Sequence, residues 1–454
     1  MPLALIALGS AFDLEKYTIV IIDGRIEKNP HQKVLDEIKD ALCFGVTALT
    51  GNPIKDALEV TQKVKQEQPN LTTIWGGWHT SLFPTQTLKD EQSIDITVQA
   101  QGEITFKEIV NSIQNKTSLK EIKGICYRDD NGNIIKNFAR PIQNMNELPQ
   151  MNYDLINVEA YFKKKGNRQF DYISSTGCFF RCTFCADPQV FQRKFSAYDA
   201  DRMGKDIAYF HKKYQFTDLN FQDETLFTYK DRIIDFANTL IDKEIDITWA
   251  GTMRADQGHR MEDEDFEFLA SAGMRRILVG VESGSQEMMD WLKKDIKMEH
   301  IDLCAKRCKK YNISVIFPFI IGFPSESEES FMKSIEKAFQ LGQLSPNFQT
   351  PIFYFKPYPG TAITDQVVSD GYELPKTLLE WSDFDYIGSS GPWVSDEKYE
   401  MVENFKFYSK LAWNKAKWLY PLKKIARYRI KNHFYKLPID RKIIQMVKPA
   451  QKLS

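Results

Sequence analysis

The chain has 454 residues, too many for one ordinary core, so two or three domains are expected. With 43% hydrophobic and 27% charged residues and a net charge of -1, it reads as a soluble globular protein without the basic character of a nucleic-acid binder. It has no run of about eighteen apolar residues and no basic-then-apolar leader, and its seven cysteines suit a reducing compartment, so a cytoplasmic location is expected.

Up to residue 145, short β-branched runs alternate with helical periods, the rhythm of an open parallel α/β sheet. Residues 17–23 read as a strand, followed by a helix near 34–41, a strand at 44–49 and a helix over 55–67. Strands at 71–75 and 95–98 come next, and Gly102-Glu103 opens a further helix. Asp129-Asp130-Asn131-Gly132-Asn133 is a strong turn signal between 124–128 and 134–137, which predicts a hairpin. The Pro-bearing stretch 141–152 reads as part of a linker.

A second βα series begins near Phe170, with strands expected at 172–174, 218–221, 247–251, 276–281, 314–321 and 352–355. Six such units make a partial (β/α)6 TIM-type barrel, whose chemistry belongs where strands run into the following loops. The chain thus divides into a first domain (1–145), a linker (146–169), a barrel (170–385) and a helical extension (386–454).

Cys178, Cys182 and Cys185 lie in the loop after the first barrel strand, at CxxxCxxC spacing. Three thiolates so placed can hold three corners of a cubane iron–sulfur cluster and leave one iron open to a ligand. A zinc knuckle completed by a distant ligand is the alternative. With Phe184 just before the last cysteine, the spacing resembles the radical S-adenosylmethionine (SAM) superfamily, in which SAM fills the open position of a [4Fe-4S] cluster. The other cysteines, Cys43, Cys126, Cys304 and Cys308, read as buried hydrophobes; a second metal site at Cys304 and Cys308, four residues apart, is the alternative.

The resemblance extends to the strand ends. Gln222-Asp223-Glu224 stands where the superfamily often has Gly-Gly-Glu, so Asp223 and Glu224 are expected at the SAM ammonium, an acidic helix cap being the other reading. Gly280-Val281-Glu282-Ser283 implies Glu282, with Ser283, against the SAM ribose. Arg254 is expected either at the SAM carboxylate or in a surface salt bridge. Ile321-Gly322-Phe323-Pro324 looks like the superfamily's Gly-Phe-Pro turn, which approaches adenine. The implied chemistry is reductive cleavage of SAM to a 5′-deoxyadenosyl radical that takes hydrogen from an unactivated carbon, with the electron coming from an external donor.

In the first domain, Thr47-Ala48-Leu49 and, further on, Gly76-Gly77 resemble the Ser-x-Leu and Gly-Gly elements of cobalamin-binding domains, which admit the corrinoid's nucleotide tail. No Asp-x-His-x-x-Gly element is present, and His79 is read as a loop residue near that tail. The start, Met1-Pro2-Leu3-Ala4-Leu5-Ile6, resembles the domain's first helix and not its first strand, so a flavodoxin- or Rossmann-like sheet without that central strand is expected.

The order of the two domains, and Pro357-Tyr358-Pro359-Gly360-Thr361, resemble the cobalamin-type radical SAM group that includes methyltransferases and the anaerobic porphyrin ring cyclase. The resemblance implies methyl transfer from methylcobalamin to an unactivated carbon of a hydrophobic small molecule. A cyclase or other radical rearrangement, and a non-catalytic corrinoid or cluster sensor, are the rivals; a methylthiotransferase is disfavoured because only Cys43 and Cys126 precede the cysteine loop. From Lys406 onward fourteen Lys and Arg face one acidic residue, Asp440, with Trp413, Trp418, Tyr420, Tyr428, Phe434 and Tyr435 interleaved. Such a tail suits an anionic membrane surface, or else a solvated helical cap.

Overall fold

The computed structural model describes residues 1–384, 390–412, 419–435 and 438–441. The basic and aromatic residues Trp413, Lys415, Lys417 and Trp418 lie outside the described residues. The chain forms two compact units, one of Met1–Thr252 with the stretch from Pro357, the other of Met253–Lys356 with the C-terminal helices.

Unit 1 opens with α1 (Leu3–Ser10) and α2 (Pro30–Glu37), followed by β1 (Cys43–Thr47), α3 (Pro53–Glu67) and β2 (Thr72–Gly76). Two short helices, α4 (Trp78–Leu82) and α5 (Pro84–Asp90), lead into β3 (Ile96–Val98), α6 (Glu103–Asn115) and the hairpin β4 (Ile125–Arg128) and β5 (Ile134–Lys136). The sheet runs β1-β2-β3-β4-β5, parallel through β3 and antiparallel beyond it. α3 is amphipathic: Ile54, Ala57, Leu58, Val60 and Val64 recur at helical spacing and are buried.

The strand expected over residues 17–23 does not form, because β1 pairs with β2 alone and no described strand offers its backbone groups on the other edge. The apolar side chains of the segment pack nonetheless. Tyr17 and Ile19 sit against Ala11, Phe12 and Val110, and Ile22 against Val34, Val60 and Leu71.

After α7 (Val158–Lys165), unit 1 continues with β6 (Gln169–Tyr172) and an unforeseen antiparallel pair, β7 (Ser175–Gly177) with β8 (Phe195–Ala197), which brackets the cysteine loop and α8 (Asp187–Val190). α9 (Ala200–Tyr214), β9 (Asp218–Phe221), α10 (Lys230–Asp242) and β10 (Thr248–Met253) follow, with β6 and β10 parallel to β9 on either side. The stretch from Pro357 also belongs to this unit. Its helix Leu378–Ser382 packs on α3, and Trp381 enters the core formed by Ala48, Leu58, Trp75 and Leu88.

Unit 2 holds α11 (Ala255–Arg260), α12 (Asp263–Ser271), β11 (Met274–Val279), α13 (Gln286–Trp291), α14 (Met298–Lys310), β12 (Ser314–Ile316), β13 (Phe319–Ile321), α15 (Glu328–Leu344), β14 (Phe348–Gln349) and β15 (Ile352–Tyr354). β12 lies parallel between β11 and β14, and β13 pairs in parallel with β15. The single strand expected at 314–321 is divided at Phe317-Pro318, since proline brings no N–H to a ladder. The Pro318 carbonyl instead accepts the N–H groups of Val281 and Glu282. The helices Asp396–Ala412 and Tyr420–Lys431 close the unit.

Candidate active site

The cysteine loop leaves β7 at Gly177 and runs into α8, and all three cysteines are half-buried. Burial, with the negative charges of Asp187, Cys182 and Cys178, pushes the Cys185 thiol up to about 12, so its thiolate needs a cation beside it. Among the described residues no three His, Cys, Asp or Glu could hold one metal ion. Ligands to a cubane each take a different iron and need no common point. The loop's surroundings contain unsatisfied polar atoms: Thr183 Oγ1 and both carboxyl oxygens of Asp187 are buried without a hydrogen bond of good geometry. Burial pushes Asp187 up to about 7, which the Cys178 amide offsets only in part. Buried polar atoms of this kind mark a place where a further polar group belongs.

The two acidic residues after β9 have different environments. Asp223 is buried and accepts hydrogen bonds from the Ser174 amide at 3.1 Å, the Ser174 hydroxyl at 2.7 Å and the Ser175 hydroxyl. Arg232 completes this network through Ser174 Oγ at 3.0 Å and the Leu226 carbonyl at 3.0 Å. Asp223 is therefore engaged within the protein. Glu224 is open to solvent on one side, yet enough protein surrounds it to push its carboxyl up to about 8, with the nearby Asp187 charge adding to the shift.

In unit 2, Arg254 does form a salt bridge, with Asp256, but a buried one and not one at the surface. Its Nε donates to Asp256 at 2.9 Å and its Nη2 to the Lys294 carbonyl at 2.5 Å. Glu282 follows β11 and pairs with Lys294 at 2.7 Å. Ser283 is turned inward, its hydroxyl 3.1 Å from that of Ser334. Ile321 is buried in β13, and the Gly322 amide donates to Glu326 at 2.6 Å. The space a Gly322 side chain would need is taken by Val394, so the close approach expected of an adenine is made here by a protein side chain. Cys304 and Cys308 are fully buried, and burial holds the Cys308 thiol well above its ordinary range.

At the carboxyl ends of β1 and β2, Thr47 and Leu49 are exposed while Gly76 and Gly77 are half-buried. A side chain on Gly77 would meet the Ala48 carbonyl at 2.6 Å and Thr47 Oγ1 at 2.9 Å, so the two loops interlock. His79 is not a loop residue: it lies in α4, buried, with Nδ1 3.2 Å from Thr50 Oγ1 and its ring against Phe83 and Trp381. Burial pulls its pKa down to about 4, which keeps the imidazole neutral. Immediately after Gly77, α4 packs on α8, and the rings of Trp78 and Phe191 meet edge to face at 6.0 Å.

Residues 172–338 match the model of the radical SAM superfamily, and residues 1–110 match that of the B12 binding domain. The chain joins a B12 binding domain to a radical SAM domain. An uncharacterized methyltransferase of Pyrococcus horikoshii is 28% identical over 387 residues, 85% of this chain and 82% of that protein. The anaerobic magnesium-protoporphyrin IX monomethyl ester cyclase of Synechocystis is 22% identical over 346 residues, 74% of this chain and 67% of the cyclase. Among solved structures, the cobalamin-dependent SAM radical enzyme OxsB with aqua-cobalamin and SAM bound superposes with a TM-score of 0.65 at 22% identity. The superposition covers 82% of this chain and 53% of OxsB, so the chain spans about half the length of that enzyme. The radical SAM domain implies a [4Fe-4S] cluster and SAM, and the B12 binding domain implies cobalamin.

Arg232, Asp187, Lys294 and Glu326 were not singled out from the sequence. Arg232 and Lys294 sit mid-chain among ordinary surface-type residues, and only the fold buries them. Asp187, two residues beyond the last cysteine, was within reach of the motif itself.

Proposed function

We propose that this protein is a cobalamin-dependent radical SAM methyltransferase acting on an unactivated carbon of a hydrophobic small molecule. The observation that carries the reading is the packing of α4 on α8, which brings Gly76-Gly77, at the start of α4, beside the loop of Cys178, Cys182 and Cys185 within one unit. Methyl transfer that uses both cofactors needs their loops side by side. When bound, the cluster with SAM supplies a radical hydrogen abstractor, and the corrinoid supplies the methyl group.

The chain's own residues have the remaining tasks. Cys178, Cys182 and Cys185 hold the cluster, and Phe184 shields it. Glu224 takes the SAM ammonium, while Asp223 braces the strand end beneath it. Arg254 and Glu282 orient the SAM carboxylate and ribose, with Ser283, Ile321 and Gly322 forming the wall behind them. Thr47, Leu49, Gly76 and Gly77 admit the corrinoid's nucleotide tail to a first domain of residues 1–145. Past the linker 146–169, residues 170–385 make up a partial barrel.

The extension 386–454 presents Lys424, Arg427 and Lys431 with Tyr420, Ile425 and Tyr428 exposed on one helix, while Ala426 and Ile430 are buried. That mixture suits an anionic lipid surface from which a cytoplasmic enzyme can collect a lipophilic substrate. No helix among the described residues is long and apolar enough to cross a membrane.

Product analysis tests the reading. Anaerobically reconstituted protein is given deuteromethyl-labelled SAM, a chemical reductant and a lipophilic cell extract. S-adenosylhomocysteine alongside 5′-deoxyadenosine, with label in an extract component, is the expected result. 5′-Deoxyadenosine alone would favour the cyclase-type rearrangement, and neither product would favour a sensor.

A further inference from the structure

Among the residues read as SAM contacts, Glu282 has the most demanding geometry. It is a non-glycine residue at φ +64°, held there because its N–H donates to Pro318 O at 2.9 Å and its carbonyl accepts the Ile320 N–H at 2.8 Å. These bonds fix the backbone and leave the side chain's direction to its partner. Glu282 is 8% exposed, and Lys294, whose Nζ lies 2.7 Å from Glu282 Oε1, is 5% exposed. Gly280 makes room for the pair, since a side chain there would fall on Glu282 Oε1 and within 2.9 Å of Lys294 Nζ. Lys294 sits on a tight turn between Lys293 at φ +50° and Asp295 at φ +55°, and its own carbonyl accepts Arg254 Nη2 at 2.5 Å. One residue therefore touches both Glu282 and Arg254.

We propose that Lys294 is a positioning residue of the SAM site: its ammonium fixes the Glu282 carboxylate in place, and its carbonyl sets the direction of the Arg254 guanidinium. The proposal rests on the reading of Glu282 as a SAM contact and deepens it. A buried carboxylate deprived of its counter-ion is left desolvated, so it protonates or swings away from its ligand. Either change removes the acceptor that the ribose hydroxyls would meet.

The test measures SAM dissociation constants by equilibrium dialysis on the reconstituted full chain, with iron content and thermal midpoint followed in parallel. The variants are Lys294→Met, Lys294→Arg, Glu282→Gln and the double variant Lys294→Met/Glu282→Gln. Methionine keeps length and leaves the main-chain carbonyl for Arg254, so it removes the ammonium that meets Glu282 without touching that carbonyl. Lys294→Met is expected to weaken SAM binding about tenfold or more, near 1.4 kcal/mol, with iron content unchanged. Lys294→Arg should recover most of the loss. In the Glu282→Gln background Lys294→Met should have little further effect, because no carboxylate remains to be held. An equal loss in both backgrounds, or no loss in either, would overturn the proposal. If Lys294→Met fails to hold its cluster, Lys294→Gln replaces it, and wild-type SAM affinity in that variant overturns the proposal equally. Unchanged affinity in Glu282→Gln would instead remove Glu282 from the SAM site.

Discussion

Gly77→Ala probes the proposed corrinoid loop with a single added methyl group. Gly77 has φ +99° and ψ -169°, a region open in practice only to glycine, so alanine there costs about 1–3 kcal/mol in backbone strain. The added Cβ would also lie 2.6 Å from Ala48 O and 2.9 Å from Ala48 N, too close for either atom. Ala48 must then move, and it carries two bonds that tie the ends of β1 and β2 together: its N–H donates to Gly76 O at 2.9 Å and its carbonyl accepts the His79 N–H at 3.2 Å. At about 1 kcal/mol for each weakened bond, the total reaches roughly 3–5 kcal/mol.

Gly132→Ala serves as the control. It has φ +80°, but nothing lies within 4 Å of its missing side chain, so only the strain of about 1–2 kcal/mol remains. Hydrogen exchange read on peptides spanning residues 43–82 should therefore be about 30-fold faster or more in Gly77→Ala than in Gly132→Ala, corresponding to a difference of about 2 kcal/mol. Corrinoid uptake, followed by its visible spectrum after reconstitution with hydroxocobalamin, should fall in Gly77→Ala alone. Equal exchange in the two variants, with equal corrinoid uptake, would refute both the packing argument and the loop's assignment.

Cys182→Ala should lose most of its iron and the reduced-state electron paramagnetic resonance signal of the cluster; a full iron complement would remove the cysteine loop from that role. His79, with its folded pKa of about 4 against an ordinary value of 6.5, contributes stability that is complete above pH 6.5 and is lost as pH falls toward 4, because the unfolded state takes up the proton first. The loss amounts to about 3 kcal/mol, so acid unfolding of His79→Gln should be flatter in that window than that of the wild type; parallel curves would contradict it. Lys424→Glu/Arg427→Glu/Lys431→Glu should abolish flotation with anionic liposomes, and added salt should weaken flotation of the wild type. Equal recovery with neutral vesicles would return the helix to a solvated cap.

Where a local pattern dictated local structure, the sequence was a good guide. The strand at 218–221, the long α3 and the hairpin about Asn131-Gly132 follow from alternation, amphipathic spacing and turn chemistry that need no distant partner. The segment 17–23 fails for the complementary reason: its residues favour a strand, but a strand exists only through a neighbour's backbone groups. The strand at 314–321 contained its own correction in Pro318. At the site, the cysteine spacing stood out because it is the spacing that ligation of a cubane would impose. The pairing of Lys294 with Glu282 and of Arg232 with the Ser174–Asp223 network was not, since each joins residues that only the fold brings together, and nothing in a lysine's or arginine's immediate sequence marks it as buried.

The turn of Pro357-Tyr358-Pro359-Gly360-Thr361 links the two proposed cofactor loops. A side chain on Gly360 would meet Leu82 of α4 at 3.0 Å and Gln189 of α8 at 3.5 Å, and just beyond it the Ile363 N–H donates to the Thr183 carbonyl, inside the cysteine loop, at 3.2 Å. One short stretch thus rests on the helix that follows Gly76-Gly77, on the helix that follows Cys185, and on the loop between Cys182 and Cys185. Farther along, Trp381 packs against His79 and Phe83 on the other side of α4. α4 is only five residues long and has no side-chain cap, so on its own it would be marginal. Its position is set by what packs around it, with α8 and Gly360 toward the cysteines and Trp381 toward the first sheet. A reaction that passes a group between two cofactors depends on their spacing more than on any single contact. On the proposed reading, that spacing depends on a segment far from both motifs in sequence, the stretch from Pro357 that belongs with the first unit.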